Sequence, residues 1–254
     1  MIRRQEGFTL IELLVGMSIG TIVMLAAFGL VDSGSAASKR VTDRVEATQI
    51  GRAAMEEVMQ DLRSAVCVWQ GGTTYLKPFA DVSNANQVTF YRQLYGSPSG
   101  GSDPGKTGTV RPQKVVLSVT GGQLVEKVYD AAGVGPLGLP TPAPWSWPTQ
   151  TATRVLAGNV KPVSAGAAYF TYYAYATGAA APTLPPPALS LGGGNVAAAD
   201  LPRIVKVGVQ FLFGPPRNTT NGTDHYVSLG DEASLSLPVD YSSGDTASQG
   251  GTCT

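Results

Sequence analysis

EGFTLIELLVGMSIGTIVMLAAFGLV, residues 6–31, is an almost unbroken apolar run near the start of the chain. From Phe8 to Val31 there are 24 residues, and Glu12 is their only charge. At about 1.5 Å per residue the run forms a helix roughly 36 Å long, enough to cross a bilayer with some tilt. The apolar region of a secretory signal peptide is only about 7–15 residues and ends in a small-residue cleavage site. This run is longer, and AAFGLVDSGSAAS is a poor ending of that kind, so a retained anchor fits better. Glu12 is the anomaly. A carboxylate in hydrocarbon costs roughly 2.5–3.5 kcal/mol on the mildest scales, so it calls for a partner.

The helical pattern runs on past the apolar segment through KRVTDRVEATQIGRAAMEEVMQDLRSAV, residues 39–66. Val41, Val45, Met55, Met59, Leu62 and Val66 fall on one stripe of a helical wheel, with Arg52 on the same stripe and Ile50 opposite. No proline precedes Pro78. The expectation is one helix from Phe8 to Ala65, lipid-facing in its first half and amphipathic in its second. Gly16, Gly20, Gly29, Gly34 and Gly51 would let it bend. Lys39, Arg40 and Arg44 outnumber Arg3 and Arg4, so charge bias does not fix the topology.

Beyond the helix, β-branched and aromatic runs alternate with glycine- and proline-rich spacers. Residues 87–94, 113–119, 123–130, 168–175 and 203–213 read as strands, and 228–239 as a weaker last one. Only TGG separates 113–119 from 123–130, which predicts a hairpin. The fold class expected is α+β: a long N-terminal helix, transmembrane in its first half, packed on an antiparallel sheet. The chain divides into 1–7, a leader; 8–31, the anchor; 32–66, the amphipathic continuation; and 67–254, a β-rich globular domain.

These residues carry a resemblance. The short basic leader with Arg3 and Arg4, then Gly7, then Phe8, Thr9, Leu10, Ile11, Glu12 and Leu13, resembles the class III leader and N-terminal helix of type IV pilins and type II secretion pseudopilins. The resemblance implies a pilin-like fold, cleavage by prepilin peptidase between Gly7 and Phe8, and N-methylation of Phe8. The cut would free an ammonium on Phe8, which Glu12 can pair with across neighbouring subunits in a filament. A more diffuse likeness joins TRVLAGNVKPV, YFTYY and PRIVKVGVQF, within residues 153–211, to J-type minor pseudopilins and W-type minor pilins. It implies a tip position that initiates assembly, with other minor and major pilins or pseudopilins as partners. The resemblance of the leader and helix also implies a single pass in the cytoplasmic membrane with the C-terminal domain outside. The alternative is a binding module at a filament tip that recognises a secreted substrate or surface.

Composition excludes other classes. Eighteen basic residues balance eighteen acidic ones, so there is no electrostatic footprint for nucleic acid. The one histidine, His225, and the absence of CxxC leave no zinc set and no triad, and no enzyme is expected. No cofactor is expected either. Calcium is the one metal with candidate ligands, at Asp103, Asp224, Asp231, Glu232 and Asp245, though without EF-hand spacing. Cys67 and Cys253 can close a disulfide outside the cytoplasm, or stand as two unrelated thiols. Phe170, Tyr172, Tyr173 and Tyr175 lie at strand spacing and read as core. Trp145 and Trp147, in a proline-rich stretch, read as a candidate surface contact.

Overall fold

The computed structural model describes residues 9–71, 74–94, 111–132, 145–175, 185–191, 194–215 and 226–235. One helix, α1 (Leu10–Arg63), runs unbroken for 54 residues. Its upper part stands clear of the sheets: every described residue from 9 to 42 is exposed. Among the described residues α1 is the one helix long and apolar enough to cross a membrane.

Ten strands follow. They are β1 (Val68–Gly71), β2 (Thr74–Leu76), β3 (Gln87–Leu94), β4 (Arg111–Thr120), β5 (Gln123–Asp130), β6 (Gln150–Ala157), β7 (Val160–Lys161), β8 (Phe170–Ala174), β9 (Ile204–Phe213) and β10 (Val227–Ser234). Strands β3–β4–β5–β6 form an antiparallel meander. A second sheet is built on β9, with β10 along one edge and β7 and β8 along the other. The expected hairpin is β4–β5. Thr120 pairs with Gln123, and Gly121 and Gly122 turn the corner at φ of 59° and 73°. A two-residue turn with both φ positive matches the right-handed twist of the strands, and glycine adopts it without strain.

The lower end of α1 and the inner faces of both sheets share one core. Ala54, Val58, Met59 and Leu62 from the helix meet Phe90, Val115, Leu117 and Leu124 from the meander, and Ile204, Val207, Phe211 and Phe213 from β9. Fully burying a side chain such as Val58 or Leu62 stabilises by about 1.5–3 kcal/mol. Phe170 and Phe213 pack around Phe211 in edge-on pairs. Tyr172 is wholly buried and donates its hydroxyl toward the backbone carbonyls of Gln87, at 2.9 Å, and Asn84, at 3.1 Å. The aromatic run on β8 is therefore core at Phe170 and Tyr172, as its spacing indicated.

The buried stripe of the helix keeps Met55, Met59 and Leu62 of the expected one but loses its upper end. Val41 and Val45 are 63% and 50% exposed, and burial against the sheets begins at Ala47. The buried positions include Ala47, Gly51, Ala54, Met55, Val58, Met59 and Leu62, while Ile50 packs against the core and Arg52 is exposed. The face is rotated toward the small residues, because those are what let two sheets come close. Gly51 shows this most sharply. A Cβ there would stand 2.7 Å from Leu229 Cδ1 and 2.8 Å from Phe213 Cδ2. Its role is close packing, and the helix runs through it unbroken.

Candidate functional site

At the head of α1, Thr9 is the N-cap and Glu12 the third helical residue. Glu12 N–H donates to Thr9 Oγ1 at 3.4 Å, and the Glu12 carboxylate reaches back to accept from Thr9 N–H at 3.0 Å. Thr9 Oγ1 donates to the same oxygen, Oε2, also at 3.0 Å. This is a capping box. It satisfies donors that the first turn of any helix leaves free, and it places a negative charge at the positive end of the helix dipole. The signal for it is the Thr-x-x-Glu spacing, which the reading of Glu12 as a charge in need of a distant partner passes over. Glu12 therefore has a local partner as well as the ammonium expected of it. Gly7 and Phe8 lie outside the described residues.

At the other end, the helix is riveted to the meander by charge. Asp61 Oδ1 accepts from Arg92 of β3 at 2.7 Å, and the same nitrogen lies 3.9 Å from Glu126 Oε1 of β5. Glu126 Oε2 accepts from Arg154 of β6 at 2.7 Å, and Arg154 also pairs with Glu57 of the helix. Arg92 is oriented by Gln113 of β4, which accepts from its Nε at 3.0 Å and donates to Asp130 at 2.6 Å. Asp61 and Glu126 are only 8% and 4% exposed. Burial, then the Glu126 charge, push the Asp61 carboxyl up to about 6 against the pull of Arg92. The sequence singles out none of these residues. Glu126 sits between Leu124 and Val128 on the inward-facing positions of β5, where a carboxylate breaks an otherwise apolar alternation.

The other sequence candidates fall apart in space. Trp145 is 6% exposed and packs with Val68, Ala80, Tyr91 and Ala131, so it is a core residue and offers no surface contact. Trp147 is half-buried against the same cluster, its ring 4.9 Å from that of Tyr91. The proline-rich surroundings mislead because they say nothing of which way an indole turns, and burying it removes a large apolar area from water. Cys67 follows the helix and is disulfide-bonded; Cys253 lies outside the described residues. So do His225, Asp103, Asp224 and Asp245. Asp231 and Glu232 stand on β10, with Glu232 accepting from Lys206 at 2.6 Å. Among the described residues no group of three or more His, Cys, Asp or Glu is arranged to hold a metal ion.

Comparison with known proteins bears on the head of the helix. The chain matches the family model described as the prokaryotic N-terminal methylation motif, over residues 2–28. None of the curated proteins matches it. The motif is that of a structural family whose members are processed by prepilin peptidase and assemble with other pilins. It is matched at the start of a long apolar helix that fits a single-pass membrane anchor and packs on antiparallel sheets. Together these mark the chain as a type IV pilin-like protein.

Proposed function

We propose that the chain is a precursor cut between Gly7 and Phe8, methylated on Phe8, and held in the cytoplasmic membrane by residues 8–31 until it is drawn into a filament. The C-terminal domain, residues 67–254, stands outside that membrane. In the filament the Glu12 carboxylate pairs with the Phe8 ammonium of a neighbouring subunit and sets the axial register of each helix. The observation that carries this reading is the placement of Glu12. It opens an apolar helix whose described residues from 9 to 42 all stand exposed. Such a surface is stable only in lipid or against other helices. The likeness over 153–211 supports the finer reading of a J-type minor pseudopilin or W-type minor pilin, placed at or near the tip, where it initiates assembly with other minor and major subunits. The disulfide of Cys67 is assigned to Cys253, the only other cysteine in the chain.

Two substitutions separate pairing from capping. Glutamine at this position still closes a capping box but carries no charge. Glu12→Gln and Glu12→Ala should both abolish co-assembly with companion subunits, measured by pull-down and filament counts in a reconstituted system. Assembly of Glu12→Gln at the wild-type level would show that the cap alone matters and that the charge pair is not made.

A further inference from the structure

We propose that Asp61 and Glu126 form a buried proton-binding site that tightens the joint between helix and sheet when the surroundings turn acidic. The groups that face Asp61 are Glu57 from its own helix, Arg92 from β3, Glu126 from β5 and Arg154 from β6, with Gln113 and Asp130 behind Arg92. Three carboxylates against two guanidiniums leave this cluster, Glu57, Asp61, Glu126, Arg92 and Arg154, one negative charge in excess. The two cations are already engaged. Arg154 is shared between Glu57 and Glu126 Oε2, and Arg92 is committed to Asp61 Oδ1.

What remains is an acceptor with nothing to accept. Asp61 Oδ2 is buried and has no hydrogen-bond partner among the described residues. The carboxylate beside it, Glu126, is itself an acceptor. Two acceptors face one another in a site largely shielded from solvent. One proton from solvent supplies the missing donor: it binds Asp61 Oδ2, is donated to Glu126, and brings the cluster to neutrality. Nothing else needs to move. The raised pKa of Asp61 agrees with this geometry.

A carboxyl whose pKa is higher folded than unfolded takes up a proton on folding. Its stabilising contribution is complete below the ordinary aspartate value of 3.8 and is lost as pH rises through about 6. The joint therefore grips harder in mildly acidic surroundings than in neutral ones. The site belongs to the folded domain, and it stands whether or not the chain assembles through Glu12.

The test is thermal unfolding of the full chain in detergent, from about pH 4.5 to 8.5, for wild type, Asp61→Asn and Glu126→Gln. Other carboxylates also titrate in this range, so the quantity read is the difference in Tm between variant and wild type. The amide introduced by Asp61→Asn keeps an acceptor for Arg92 and supplies a permanent donor toward Glu126. Asp61→Asn should equal or exceed wild type near pH 8, and its Tm relative to wild type should fall by at least about 2–4 °C near pH 5. Glu126→Gln removes the neighbouring charge and should move the transition seen in wild type to lower pH. Parallel curves for Asp61→Asn and wild type across the whole range would overturn the site. If the variants do not fold, infrared spectroscopy of the wild type decides. A protonated-carboxyl band at the higher frequency of a carboxyl shielded from water, present near pH 5 and lost near pH 8, is expected, and the absence of that shifted band at pH 5 overturns the proposal.

Discussion

Gly51 sets how near the sheets come to the helix, and alanine there tests the packing directly. Isolated from its neighbours, a glycine-to-alanine change in a helix gains roughly 0.8–1 kcal/mol of intrinsic propensity. At Gly51 the added methyl meets Leu229 Cδ1 at 2.7 Å and two atoms of the Phe213 ring at 2.8 and 2.9 Å. Leu229 is half-buried and can swing aside. Phe213 is fully buried, pinned edge-on against Phe211, and cannot. Overpacking of this kind costs about 1–3 kcal/mol, so the clash outweighs the propensity gain by about 1 kcal/mol. For a chain of this size that lowers Tm by about 2–4 °C. Gly34 is the control, because a Cβ there meets nothing within 4 Å, and Gly34→Ala should hold or raise Tm. The assay is thermal unfolding followed by the near-UV signal of the aromatic core, which reports the domain and not the membrane half of the helix. If Gly51→Ala raises Tm as much as Gly34→Ala, the close approach of the sheets to Gly51 is wrong.

Other changes probe the remaining contacts. Arg92→Met leaves Asp61 and Glu126 buried without their shared cation and should destabilise by about 3–5 kcal/mol, more at pH 8 than at pH 5, as read by denaturant titration. Tyr172→Phe removes a buried hydroxyl donor and should lower stability by about 0.5–1.5 kcal/mol in the same titration, with the ring packing retained. Reducing the Cys67 disulfide should lower stability by about 2–5 kcal/mol, and peptide mapping of the non-reduced chain should return a Cys67–Cys253 cross-link.

The strands legible in the sequence are those with one face in the core. Strands β3 and β5 begin and end where their β-branched and aromatic content puts them, at 87–94 and 123–130, with Val88 and Phe90, and Leu124 and Val128, buried on the core side. Strand β6 escapes such a reading for the opposite reason. It is the outer strand of the meander, exposed from Gln150 to Val155, and QTATRV has no apolar face to betray it. The short β1, β2 and β7 are too brief to show a period. On the helix, large side chains draw the expected stripe to Val41 and Val45, whereas the contact is made where Ala47, Gly51 and Ala54 are small enough to admit a sheet. Small residues carry little hydrophobic signal but set the distance of approach. The charged junction is illegible for a related reason. Asp61, Arg92, Glu126 and Arg154 come from four elements, and only the strand register brings them together. The head of the helix is different, since Gly7, Phe8, Thr9 and Glu12 lie within one short stretch and their spacing alone carries the chemistry.

In the proposed function, the cut at Gly7 creates the ammonium that Glu12 meets. This step is tested most directly by intact-mass and N-terminal peptide analysis of the chain recovered from cells that express its processing peptidase. A mature chain that begins at Phe8 and carries one added methyl on its α-amine is expected. A chain that keeps residues 1–7, or begins at any residue other than Phe8, would contradict it.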